Sequence, residues 1–233
     1  MRWRVTRLDD TGSTNDDVRR LAAEGAEAGT VVTALKQNIG RGRQGRAWDS
    51  PKGNLYFSVL LRPQGGAKVY GLYSFVMALA IGDMVRGFLP KAQIELKWPN
   101  DVLIGGKKIS GILLEAGEGF LIAGMGINVR HYPQNPLYPV TSLLVEGADL
   151  PPLEEILDKV LERLDYWIDR LEKEGFEPLR QGWLASARKG EMRVRLPNEE
   201  IPGRFAELDS EGRLHLVLAD GTIRKFSAGD VFF

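Results

Sequence analysis

Four short runs in this 233-residue chain carry side chains able to act on an anionic ligand. The densest is Gly40-Arg41-Gly42-Arg43-Gln44-Gly45-Arg46, three glycines and three arginines in seven residues. Glycine lets backbone N–H groups approach an anion, and guanidinium offers a planar fork of donors to phosphate or carboxylate. Keeping such a loop ordered costs conformational entropy that a ligand would offset. The composition therefore predicts an anion clamp that folds over a phosphate-bearing ligand. A solvated basic loop and an Arg-Gly nucleic-acid segment are the alternatives. It is not a Walker phosphate loop, which needs Gly-Lys-Ser/Thr after a four-residue gap.

Lys97-Trp98-Pro99-Asn100-Asp101, followed by Lys108, is the second run. A lysine beside a triphosphate acts as a point charge on developing negative oxygens. Read blandly, these are two surface lysines and a Pro-Asn turn. The third run, Gly124-Met125-Gly126-Ile127-Asn128, alternates glycine within a strand. Such spacing marks close approach of a ligand or of another backbone, and Asn128 offers a donor and an acceptor that suit a nucleobase edge. Tight strand–helix packing explains the glycines equally well. The fourth run, Ser13-Thr14-Asn15, reads as a helix cap, and a helix N-terminus can also receive polar ligand groups.

Composition removes competing chemistries. The chain has no cysteine, so a disulfide framework, a thiolate nucleophile and an iron–sulfur cluster are excluded. Two histidines, His131 and His215, do not make a multi-histidine metal site and read as surface or satisfied side chains. Lys plus Arg and Asp plus Glu each number 31, a balance that argues against a general nucleic-acid binder. Locally the balance fails: Lys36, Arg41, Arg43, Arg46 and Lys52 face only Asp49. The longest apolar run, Leu72 to Ile81, is short for a bilayer, and Met1-Arg2-Trp3-Arg4 lacks a signal-peptide core, so a cytoplasmic location is expected.

The elements that must position these runs follow from periodicity. Val18, Leu21 and Ala22 continue a helix from Ser13 to Gly25, and Val31 to Leu35 reads as a buried strand. Residues 40–54 form a loop, and Leu55 to Leu61 a strand. Tyr73 to Leu89 is an apolar helix packed on a sheet. Strands follow at 94–98, 102–104, 109–114 and 120–128, with Gly105-Gly106-Lys107-Lys108 as a hairpin turn and a proline-rich connection over 132–139. Leu153 to Leu171 is amphipathic helix, followed by a shorter helix from Phe176 to Ala187. Beyond Lys189, short strands punctuated by turns suggest a small β-barrel appended to an α+β domain.

Taken together and in this order, Ser13-Thr14-Asn15, Gln37 with the Gly40–Arg46 loop and Trp48, Lys97 to Asp101 with Lys108-Ile109-Ser110-Gly111-Ile112, and Gly124 to Asn128 are far more specific than singly. They resemble the biotin protein ligase family, from about residue 8 to the end of the chain. The resemblance implies a mixed β-sheet flanked by helices, similar to class II aminoacyl-tRNA synthetases, over residues 1–188, and an SH3-like β-barrel over 189–233. It implies that biotin and MgATP give biotinyl-5′-AMP and pyrophosphate. Biotin is then transferred to one lysine of a biotin carboxyl carrier protein, for example that of acetyl-CoA carboxylase.

By matching position, Ser13, Thr14, Asn15 and Gln37 would hold the polar ureido end and neighbouring parts of biotin, Arg41, Gly42 and Arg43 would belong to the loop that closes over biotin and the adenylate, and Gly111 would lie against biotin. Arg43 and Arg46 would meet phosphates, and Trp48 and Asn128 adenine. Lys108 would contact the biotin carboxylate and the α-phosphate, which makes Lys108, with Arg43, the expected catalytic pair. Mg2+ would arrive on the nucleotide, held by phosphates and water, so the sequence names no metal ligands. The first motif begins at Ser13, leaving no room for the helix-turn-helix of bifunctional members. A monofunctional ligase without DNA or membrane binding is therefore expected. A homodimer is compatible with the resemblance, and no role is assigned within 129–140. A lipoate or octanoate ligase or transferase on the same fold is the runner-up.

Overall fold

The computed structural model describes every residue except Met1, Asn135 and Leu137. Seven strands form one mixed sheet: β1 (Arg4–Thr11), β2 (Thr30–Gln37), β3 (Leu55–Leu61), β4 (Ile94–Lys97), β5 (Asp101–Ile104), β6 (Lys107–Gly117) and β7 (Phe120–Ile127). Their order is β1-β2-β3-β7-β6-β5-β4. Only β1 and β2 pair in parallel, and helix α1 (Thr14–Ala23) makes the crossover that parallel pairing requires. β1 was not among the expected strands; Arg4, Arg7, Asp9 and Asp10 hide its alternation at an edge position. The turn between β5 and β6 is tighter than expected. Gly105 and Gly106 alone form it, both at positive φ (53° and 78°), and Lys107 and Lys108 already belong to β6.

One face of the sheet carries helices α2 (Tyr73–Phe88) and α3 (Leu153–Glu174), with α4 (Glu177–Ser186) against them. Phe57, Ile112, Ala123 and Met125 point to this side and join the α2 and α3 side chains in the main core. Among the described residues, the one helical stretch apolar enough to cross a membrane is Tyr70–Phe88, and it is mostly buried in this core. On the opposite face α1 packs through Val18 and Ala22 onto Val32, Leu60 and Ile122. It covers only part of that face, leaving the middle of β6 and β7 free.

A second, antiparallel sheet comprises β8 (Glu191–Leu196), β9 (Glu199–Leu208), β10 (Leu214–Val217), β11 (Ile223–Phe226) and β12 (Asp230–Phe232). Its order, β11-β10-β9-β8-β12, leaves both end strands unpaired with each other, so the expected closed barrel is corrected to an open sheet. The outer edge of β12 serves another purpose. The Lys97 ammonium donates to the Val231 carbonyl (3.1 Å) and Arg43 to the Gly229 carbonyl (3.2 Å). Met192, Val194, Leu208, Leu214 and Leu216 join the same buried cluster as the large sheet.

The β9–β10 turn is built on Asp209. Burial alone would raise its carboxyl, but the Arg213 side chain (2.7 Å), the Arg213 and Glu211 N–H groups and His215 Nε2 (2.9 Å) hold it well below the usual carboxylate range. A lowered carboxylate stabilises the fold above its unfolded pKa, and that contribution is lost as pH falls through the folded value. Asp209→Asn is therefore expected to destabilise the protein by about 1–3 kcal/mol near neutrality. The difference from the parent should narrow only below about pH 4, as read by urea unfolding across pH.

Candidate active site

The uncovered part of the sheet forms the floor of a cleft. Gly111 on β6 faces Gly126 on β7, Leu113 faces Gly124, and Ser58 on β3 lies beyond Gly124. Space explains the glycines. A Cβ on Gly126 would lie 2.4 Å from the Trp48 indole nitrogen, one on Gly111 3.0 Å from the Trp48 ring, and one on Gly124 2.1 Å from Asn15 Oδ1. The floor is thus held one atom layer lower than any other residue type would allow.

At one end of the cleft sit neutral polar groups. Ser13, Thr14 and Asn15 are buried at the start of α1. Ser13 occupies the N-cap position, yet its side chain makes no capping hydrogen bond, so capping does not account for its hydroxyl. The Thr14 N–H and hydroxyl both donate to Gln37 Oε1 (2.9 and 3.1 Å). The fully buried Ser58 hydroxyl bonds Asn15 Oδ1 (2.5 Å) and lies 2.7 Å from the Thr14 hydroxyl. Asn15 Nδ2 donates to Glu115 (3.0 Å). Ser58 and Glu115 were not picked out by motif reading, since each is an isolated polar residue in an apolar strand. Period-2 alternation, which places Glu115 on the same face as Leu113 and Gly111, was the available signal.

At the other end lies a charged group. Lys108 is buried, pairs with Asp101 Oδ1 (2.6 Å), and places its ammonium over the Trp48 ring (5.3 Å) and the Tyr138 ring (5.2 Å). Lys97 approaches the other Asp101 oxygen at 3.1 Å. Burial alone would raise the Asp101 carboxyl, but Lys108 and Lys97 hold it below its ordinary value. Burial pushes Lys97 down, against the pull of Asp101. A bulge aims Lys108. Val102 pairs with Ser110 and Leu103 with Lys108, so Ile109 is an extra residue in β6. Lys108 and Gly111, three apart, thereby share a face, and the ammonium would lie 3.1 Å from a Cβ on Gly111.

The arginine loop closes over the cleft. Arg41 makes a two-pronged ion pair with Asp16 (2.6 and 2.7 Å) and lies 3.7 Å from Glu115. Arg43 Nη1 donates to Asn100 Oδ1 (3.2 Å), and both Arg43 and Arg46 pair with Asp230 on β12. Ser13, Thr14, Asn15, Gln37, Arg41, Gly42, Arg43, Arg46, Trp48, Lys108 and Gly111 all line this one cleft. Asn128 does not. It is buried with Nδ2 on the Thr141 carbonyl (3.0 Å), and it lines a neighbouring cavity behind Trp48, shared with Arg46, Lys108 and Tyr138.

The fold and site are those of a protein with one glycine-floored cleft that has a neutral polar end, a cationic end and an arginine lid. The signature of the Biotin/lipoate A/B protein ligase family matches residues 8–130 and that of the Biotin protein ligase C terminal domain residues 191–233, so the chain belongs to the biotin protein ligase family. It is 38% identical over 239 residues to a biotin–[acetyl-CoA-carboxylase] ligase of Paracoccus denitrificans, covering 97% of this chain and 99% of the relative. A protein of the same name from Mycobacterium tuberculosis is 35% identical, with 98% and 89% covered. The solved biotin protein ligase from Aquifex aeolicus in complex with biotin and ATP matches with a TM-score of 0.85 at 30% identity, over 98% of this chain and 97% of that one.

Proposed function

We propose that this chain is an ATP-dependent biotin protein ligase that makes biotinyl-5′-AMP and transfers biotin to a lysine of a biotin carboxyl carrier protein. One observation carries the reading: a single sheet face joins a neutral hydrogen-bonding pocket at Thr14, Asn15 and Gln37 to a buried lysine and an arginine lid. A ureido ring, with two N–H donors and one carbonyl, matches the first. A carboxylate approaching a phosphate matches the second. The apolar tail lies in the cleft between them, alongside the Trp48 ring that covers Gly111 and Gly126, with Ser13 and Gly42 at its sides.

Attack of a biotin carboxylate oxygen on the α-phosphorus breaks its bond to the bridging oxygen, and pyrophosphate leaves. Two anions must meet, and the charges of Lys108, Arg43 and Arg46 reduce that cost and stabilise the transition state. ATP enters as its Mg2+ complex, with Mg2+ held by phosphate oxygens and water. The nucleotide extends into the cavity behind Trp48, where Trp48 and Asn128 contact the base. Arg41, Gly42 and Arg43 keep water from the mixed anhydride until a lysine amine attacks its acyl carbon and AMP departs. Residues 1–188 act as the catalytic unit and 189–233 as the SH3-like unit, in the cytoplasm where ATP and carrier meet. DNA and membrane are not partners in this reading, and the β1 edge is available to a homodimer. The relatives favour biotin over lipoate or octanoate as the acid.

Incubation with biotin, MgATP and a carrier domain is expected to add one biotinyl group to the carrier, read by intact mass. No mass change, with the carrier shown competent by another ligase, overturns the reading.

A further inference from the structure

We propose that Asp230 on β12 is a positioning residue for the two phosphate-directed arginines, holding Arg43 and Arg46 in place before ATP arrives. The inference deepens the biotin-ligase reading and rests on it. One carboxylate spans both side chains: Arg46 Nη2 bonds Oδ2, and Arg43 Nη1 lies 3.6 Å from Oδ1. The Asp230 side chain is only 12% exposed, so this pairing is little screened by water.

The geometry distinguishes positioning from mere competition with phosphate. Among the described residues, the hydrogen bonds of Arg43 to Asn100 and Gly229 and its approach to Asp230 all run through Nη1. Those of Arg46 to Gln44 and Asp230 run through Nη2. A guanidinium has five N–H donors, so each arginine keeps its remaining N–H groups for a phosphate while still tethered. Both arginines stand on a loop whose glycines give it many alternative conformations to lose. Four cations line the cleft near this point, Arg43, Arg46, Lys97 and Lys108, against Asp101 and Asp230. Without Asp230 one carboxylate would face all four, and mutual repulsion would spread the arginines apart. The second sheet thus supplies the tether that the first sheet's lid needs.

The test is biotin-dependent ATP–pyrophosphate exchange with the isosteric Asp230→Asn, the smaller Asp230→Ser and the charge-retaining Asp230→Glu, together with calorimetric titration of biotin. In Asp230→Asn and Asp230→Ser, KM for MgATP is expected to rise about tenfold, the scale of one charge-assisted hydrogen bond, with kcat changed less than about twofold. Biotin affinity should fall clearly less than ATP affinity, and Asp230→Glu should restore most of the ATP affinity. An unchanged or lowered KM overturns the proposal, a lowered value showing that the carboxylate only competes with phosphate. Equal weakening of biotin and ATP, or no rescue by Asp230→Glu, shows a general packing role and also overturns it. Exchange by the parent with no split in the variants sinks this inference alone. A parent without exchange overturns the functional reading and this inference with it.

Discussion

Lys108→Ala is expected to slow biotin-dependent ATP–pyrophosphate exchange about 10²–10³-fold, the scale of removing one preorganised charge donor from a water-poor site. Its ammonium is fixed between the Trp48 and Tyr138 rings and anchored to Asp101 Oδ1 at 2.6 Å. Little reorganisation is then needed when negative charge develops on the α-phosphate. The substitution also touches the fold. As a turn-flanking lysine it would contribute little to a core, but the structure buries it inside β6. Removing it leaves the buried Asp101 carboxylate with Lys97 as its remaining ion-pair partner among the described residues, at a cost of about 1–3 kcal/mol. A Lys108→Met variant separates the two effects, because it keeps the buried stem and removes only the ammonium, leaving Asp101 paired with Lys97. It is expected to regain stability in urea unfolding without regaining exchange. Undiminished exchange in a folded Lys108→Ala protein would refute the assignment.

Arg43→Ala should make the adenylate leak. Arg43 reaches from the lid to Asn100 and Gly229, and its Nη2 and Nε remain for the phosphate. Loss of a charge-assisted hydrogen bond of about 1.5–3 kcal/mol speeds dissociation roughly ten- to a hundredfold. Labelled biotinyl-5′-AMP formed on the variant should elute with small molecules in rapid gel filtration, whereas the parent carries it through the column. If the variant retains the intermediate as the parent does, Arg43 has no retaining role. Asp230 is not left unpaired, because Arg46 still holds it.

Local sequence determined much of this protein. The apolar period of α3, the Gly-Gly turn, the glycine–arginine loop and the alternate glycines of β7 are set by interactions within a few residues, and their residue types record them. The composition already announced a local cationic excess within a neutral chain, and the ordered motifs named most of the cleft's lining, but not Tyr138 or Asp230 to Phe232. Only tertiary structure decided where the charges point. Simple alternation in β6 puts Lys108 on one side with Ser110 and Ile112, and the bulge at Ile109 turns it to the side of Gly111 instead. β1 becomes visible only through its pairing with β2, since a charged edge strand carries little period of its own. Asp230 belongs to none of the four motifs, and the barrel expected beyond Lys189 would have hidden the β12 edge. The docked, open sheet brings that acid across 184 residues of chain to Arg46. No local pattern encodes such a contact, because it depends on how two sheets pack rather than on the period of either one.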